Sequence, residues 1–134
     1  MNNLEKYSPY VLALLRITAA YMFILHGTAK FWEFPISMTG GNGPVGDSMV
    51  IVGGVIEIVG SILLILGLFT RPAAFVLSGQ MAFAYFFMHV AGKGNLLFPI
   101  ANGGELALLY SVIFLYFVFS GAGALSLDSR LYRK

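Results

Sequence analysis

Four apolar runs, each near the length that crosses a bilayer as a helix, constrain this chain more than any other feature. They cover about positions 9–31, 49–69, 72–91 and 104–122. A helix needs about 20 apolar residues to span the roughly 30 Å of bilayer hydrocarbon. Composition points the same way, since 58% of the 134 residues are hydrophobic and 10% are Asp, Glu, Lys or Arg. A soluble domain carries roughly 25% charged residues, and a water-soluble unit of this size needs that polar surface. The expected fold class is therefore all-α, an integral-membrane four-helix bundle forming one domain over residues 1–134.

The first run is read as a retained span rather than a cleaved leader. Arg16 interrupts it, and aromatic residues follow Lys30 where a small-residue cleavage site would stand. Between the second and third runs lies a very short connection, with Pro72 directly after Arg71. Proline suits a first helical turn, where its missing N–H would be unpaired anyway, so these two spans form a tight hairpin. The connections over 32–48 and 92–103 are rich in Gly and Pro and read as loops. Short re-entrant or interfacial segments are the alternative there, given Trp32, Phe34, Ile36 and Met38.

An even number of spans puts both termini on one side. Lys6, Arg71, Arg130, Arg133 and Lys134 then share that side, facing loops that hold Glu33, Asp47 and Lys93. The excess of Lys and Arg makes it the cytoplasmic side. Membrane lipid is thus the first partner. The formal net charge of +2 is spread over scattered residues, which excludes a nucleic-acid interface. The chain has no cysteine, so it has no disulfide, thiolate chemistry or cysteine-ligated cluster. "GGNGPVG" (40–46) lacks the Lys and the strand–helix setting of a phosphate loop.

Charge inside a span costs roughly 2.5–3.5 kcal/mol on insertion scales and normally faces the bundle interior. Six residues form the candidate interior polar cluster: Arg16, His26, Lys30, Glu57, His89 and Glu105. At about 100° per residue, Arg16, His26 and Lys30 point into one interior. Gly53, Glu57, Gly60 and Gly67 share a stripe on the second span, where small residues permit close helix packing. Arg16 and Lys30 are the nearest candidate partners of Glu57, with Arg16 about 10 Å away in level. Gln80 sits mid-span in the third run. The outer-half groups could handle protons, since histidine titrates near neutrality, or bind an anion, a headgroup or a quinone oxygen. Arg16 and Glu57 could equally be an interior pair that fixes helix register. Glu105 suits a helix N-terminus without any function, and Glu33 and Asp47 read as solvated loop charges. A metal held by His26, His89 and Glu57 or Glu105 has no supporting ligand spacing, so no metal is expected.

Three landmarks then stand in order. Arg16 precedes "HGTAKF" (26–31); "IEIVGSILLILGLFTRPAA" (56–74) follows; "GAGALSLD" (121–128) closes the series. With these the chain resembles the DoxX family of small four-span bacterial membrane proteins. The match carries Arg16, Gly27, Lys30, Glu57, Gly60, Gly67, Arg71, Gly121, Gly123 and Asp128, with Ala122 where the family ending has Pro. The resemblance implies a multi-pass protein of the bacterial inner membrane with a link to redox physiology. Some relatives are subunits of a thiosulfate–quinone oxidoreductase, and others belong to membrane complexes that detoxify oxidants. Quinone is the cofactor this suggests, and redox-complex subunits or further copies of the chain are the partners. The alternative is a small-molecule, proton or lipid-binding protein, or an assembly scaffold without catalysis. In the terminal block, Gly121 and Gly123 are expected to stop the fourth span. Asp128 is expected to cap "SRLYRK" (129–134) or to pair with Arg71 or Arg130.

Overall fold

The computed structural model describes residues 2–132; Arg133 and Lys134 lie outside them. The elements in order are α1 (Asn2–Glu5), α2 (Ser8–Trp32), α3 (Ser48–Leu66), α4 (Thr70–Phe83), a π-helical stretch (Ala84–Val90), α5 (Ala91–Lys93), α6 (Pro99–Asn102), α7 (Glu105–Ser120) and α8 (Leu127–Leu131). Among the described residues there is no strand.

Each long helix begins and ends where its sequence supplies the means. Pro9 stands in the first turn of α2. The Asp47 carboxylate accepts from Met49 N at 2.9 Å and Val50 N at 3.2 Å and so caps α3. Gly67, at φ 66°, closes α3, with Leu68 N donating back to Leu63 O at 2.8 Å. Three residues later α4 starts, which produces the expected hairpin. It runs on through the π-helical stretch and α5, so the helical path is continuous from Thr70 to Lys93. Gly104 and Gly121 bracket α7.

Three of these paths are long and apolar enough to cross a membrane: Asn3–Trp32, Ser48–Leu66 and Thr70–Lys93. The fourth expected span, 104–122, is realised as a shorter apolar helix of 16 residues. At 1.5 Å per residue it measures about 24 Å, less than the hydrocarbon thickness. Its length is set by the two glycines rather than by loss of hydropathy.

Packing pairs α2 with α3 and α4 with α7, and the α3–α4 contact joins the pairs. The shared core draws on all four helices: Ala19, Ala20 and Phe23 from α2, Leu64 from α3, Ala74 and Leu77 from α4, Tyr110, Phe114 and Phe117 from α7. Small residues dominate the α2 and α4 contributions, while large apolar side chains such as Leu14, Val55, Phe87 and Phe119 point outward. That inside-out distribution fits a solvent of lipid, where helices associate by close packing rather than by hiding apolar surface. Gly27 and Gly54 set the α2–α3 approach. A Cβ at Gly27 would stand 2.6 Å from Ile58, and one at Gly54 would stand 2.8 Å from the Phe31 ring. Gly60 does the same toward α4, where a Cβ would meet Leu77 at 2.8 Å. Gly67 leaves the expected packing stripe, because it lies past the helix end as the cap.

The long loops are not disordered turns with free charges. Glu33 organises the first one, accepting at Oε1 from Ser37 Oγ (2.8 Å), Gly43 N (3.2 Å) and Thr39 Oγ1 (3.3 Å). These bonds, the Ser37 hydroxyl foremost, hold its carboxyl below the usual range. Glu33 is therefore more than the solvated charge expected from sequence. In the second loop, buried Asn102 accepts from Gly104 N at 2.7 Å and donates to Asn95 O at 3.2 Å. Tyr85 donates to Leu96 O at 2.6 Å. Between them they fold 94–104 over the end of the π-helical stretch.

Candidate functional site

The polar residues of the spans separate into two groups at different levels. In the first, Lys30 on α2 reaches across to Glu57 on α3, with Nζ 2.6 Å from both Oε1 and Oε2. The side chains are 14% and 4% exposed, so the ion pair is largely withdrawn from solvent. Gln80 on α4 completes it: its Nε2 donates to Glu57 Oε1 and to Gly53 O, both at 3.2 Å. The bare backbone at Gly53 makes this possible, since a Cβ there would stand 3.1 Å from Gln80 Nε2. Gln80 Oε1 is buried and has no hydrogen-bond partner among the described residues. Turning the amide over would aim that oxygen at the carboxylate, so the bonding pattern fixes the orientation.

His26 stands one turn before Lys30, edge-on to the Tyr110 ring at 6.2 Å and beside Phe23 at 6.0 Å. The Tyr110 hydroxyl is also buried without a partner among the described residues. The site thus draws a cation and an imidazole from α2, a carboxylate from α3, an amide from α4 and a phenol from α7.

The second group surrounds Arg16, which is 0% exposed. It does not pair with Glu57. Its Nε donates to Leu64 O at 2.8 Å, Nη2 to Leu125 O at 2.9 Å, and Nη1 to Ala124 O at 3.2 Å and to Ala122 O. The guanidinium thus ties the C-terminal end of α3 to the segment after α7, where helix and loop carbonyls supply negative potential. Arg71 acts similarly on α7, its Nη1 donating to Val118 O at 2.8 Å and Phe119 O at 2.7 Å. Asp128 neither caps α8 nor pairs with Arg71 or Arg130. Its carboxylate accepts from Phe69 N at 2.8 Å and Thr70 N at 2.9 Å, which caps α4; Ser126 caps α8 instead.

Of the six residues expected to form one interior cluster, Lys30 and Glu57 are bonded together and His26 adjoins Lys30 on the same helix face. Arg16 belongs to the opposite network. His89 lies in the π-helical stretch, its Nδ1 3.3 Å from Asn102 O, so it serves the second loop. Glu105 is exposed at the start of α7. Among the described residues no three His, Asp or Glu side chains are placed to hold a metal, so the His26, His89, Glu57 and Glu105 set is not assembled. Sequence reading left Gln80 and Tyr110 out of the cluster. Gln80 carried a signal, an amide in mid-span; Tyr110 carried none, since one tyrosine in an aromatic run is unmarked.

A family model described as DoxX matches residues 11–90, which include Arg16, Lys30, Glu57, Arg71 and Gln80. A protein of Haemophilus influenzae described as uncharacterized is 80% identical over 134 residues, the whole of both chains. No solved structure matches the chain.

Proposed function

The chain belongs to the DoxX family and is a membrane protein, and from that premise we propose that its Lys30–Glu57–Gln80 cluster receives the polar head of a lipid-phase quinone. In this reading the protein is a subunit or accessory of a quinone-linked oxidoreductase or oxidative-stress complex. It crosses the bacterial inner membrane four times, with both termini in the cytoplasm. The observation that carries the reading is Gln80 Oε1, a buried acceptor with no partner beside a buried ion pair. Ionisable groups inside a membrane are costly and usually mark a site, and an unmet buried acceptor loses roughly 1–3 kcal/mol until a donor arrives.

The donor set suits a quinone head. Lys30 has three N–H donors, and with two directed at the Glu57 oxygens the third can reach a carbonyl oxygen. Gln80 Oε1 can accept from a hydroxyl, and Glu57 can exchange a proton with whatever Lys30 holds. When bound, a quinone supplies the two-electron, two-proton chemistry that no side chain here carries. The chain's own residues bind the head, orient it between α2, α3 and α4, and hold the proton at the Glu57 carboxylate. Electrons come from a partner subunit.

A second reading, a scaffold without turnover, is favoured by the completeness of the Lys30–Glu57 bonding, which can serve as a register lock between α2 and α3. Mass spectrometry of the protein taken from membranes in mild detergent separates the two. Co-purifying quinone and a redox partner support the first. Protein that carries neither, from membranes whose quinone reduction is unchanged when the chain is deleted, leaves the scaffold.

A further inference from the structure

At the end of the molecule opposite the Lys30–Glu57 pair, the start of α4, the end of α7 and α8 enclose a cleft of about 460 Å³. Its wall includes Arg71, whose Nη1 is committed to the two α7 carbonyls while Nε and Nη2 have no hydrogen-bond partner among the described residues. That second edge faces Gly121, where a Cβ would stand 3.2 Å from Nη2 and 3.6 Å from Nε; glycine, at φ +75°, keeps it open. Thr70 also lines the cleft. It is 0% exposed, and its Oγ1 has no hydrogen-bond partner among the described residues. The Asp128 carboxylate, though present in the wall, is occupied by the amides of Phe69 and Thr70. The cleft therefore offers one uncommitted guanidinium edge and one buried hydroxyl, a set that matches a phosphate oxygen pair.

Phe69 and Pro72 line this cleft and also a second one, an apolar groove of about 380 Å³ along the outer face of the α3–α4 hairpin. The groove passes Val59, Gly60 and Val76. A cleft roomy enough for a phosphate headgroup, meeting an apolar trough at a shared wall, fits an amphiphile. We propose that these two clefts together bind one anionic phospholipid, its phosphate on the Arg71 Nε–Nη2 edge and Thr70 Oγ1, and one acyl chain in the groove. Free phosphate would fill only the polar half. The site stands apart from the Lys30–Glu57 cluster and does not rest on the quinone reading.

The test measures binding of phosphatidylglycerol and of diacylglycerol, which has the same acyl chains and no phosphate, to the full-length protein in a neutral detergent, by native mass spectrometry. Glycerol 3-phosphate serves as a headgroup-only competitor. Phosphatidylglycerol is expected to bind about tenfold tighter, the value of one charge-assisted contact. Thr70→Val leaves the Asp128 cap on the backbone intact and is expected to weaken phosphatidylglycerol roughly threefold to tenfold without lowering the melting temperature. Val76→Trp fills the groove from a half-exposed, lipid-facing position and is expected to weaken it similarly while the polar recess is untouched. Equal retention of the two lipids, or no effect of either variant, overturns the proposal. So does full displacement by glycerol 3-phosphate with Val76→Trp silent, which would mark a site for free phosphate esters instead.

Discussion

Removing Lys30 while leaving Glu57 in place tests the geometry of the ion pair more stringently than removing both. In Lys30→Met the Glu57 carboxylate, 4% exposed, loses two contacts at 2.6 Å and keeps one neutral donor, Gln80 Nε2 at 3.2 Å. Breaking a buried pair from one side costs about 3–5 kcal/mol, because a charge is left uncompensated. The reverse variant, Glu57→Gln, is expected to cost less, about 1–2 kcal/mol. Lys30 is the more exposed partner and sits in the last turn of α2, so its ammonium can snorkel toward the interface. The double variant Lys30→Met/Glu57→Gln removes both charges and is expected within about 1 kcal/mol of wild type. The resulting coupling energy is about 3 kcal/mol or more, read by reversible unfolding of the four proteins in mixed detergent–denaturant micelles. Additivity of the two single changes, within about 0.5 kcal/mol, would refute the assignment of the two side chains to one buried pair.

The other networks make equally specific demands. Arg16→Lys keeps the charge, but an ammonium cannot span from Leu64 O to Leu125 O. A loss of about 3 kcal/mol is expected, two charge-assisted bonds at about 1.5 each, with early proteolysis in 121–128 as its local signature. Asp128→Ala is expected to cost about 1–2 kcal/mol as a lost helix cap, with faster amide exchange at Phe69 and Thr70. Glu33 gives a pH signature: its folded pKa lies below the ordinary 4.5. Its contribution to loop order is therefore complete above pH 4.5 and lost as pH falls from there through the depressed folded value. Protection of the Gly43 amide should follow that curve, and Glu33→Gln should flatten it.

The helices and the inward direction of the charges were legible from sequence because both follow from hydrocarbon as solvent. Apolar runs of bilayer length leave little choice but helix, and Arg16 and Glu57 could not face lipid. The hairpin at Pro72 was equally marked. The partners of the two arginines were not legible, because they are backbone carbonyls at helix ends, and carbonyls carry no sequence signature. For the same reason Asp128 looked free to pair with a basic side chain, whereas two backbone amides 59 and 58 residues earlier in the chain claim it. An offset of about 10 Å in level left Arg16 open as a partner of Glu57 beside Lys30, and the structure pairs Glu57 with Lys30. His89 and Glu105 were placed with the cluster by level alone. The π-helical stretch and the Asn102 loop, neither visible in periodicity, turn that end of the molecule to a different purpose. Gly67 illustrates a further limit, since one glycine can satisfy a packing stripe on paper and act in the fold as the residue that ends it.

If the double variant Lys30→Met/Glu57→Gln is as stable as expected, it becomes the instrument for the central claim. Equilibrium binding of a short-chain quinone to wild type and to this variant, in the same detergent, tests directly whether the cluster holds a ligand. The account predicts saturable binding to wild type and a loss of about tenfold or more in the folded double variant, corresponding to at least one charge-assisted contact of about 1.4 kcal/mol. Equal affinity in the two proteins, or no saturable binding to wild type, would contradict it and leave the pair as a lock between α2 and α3.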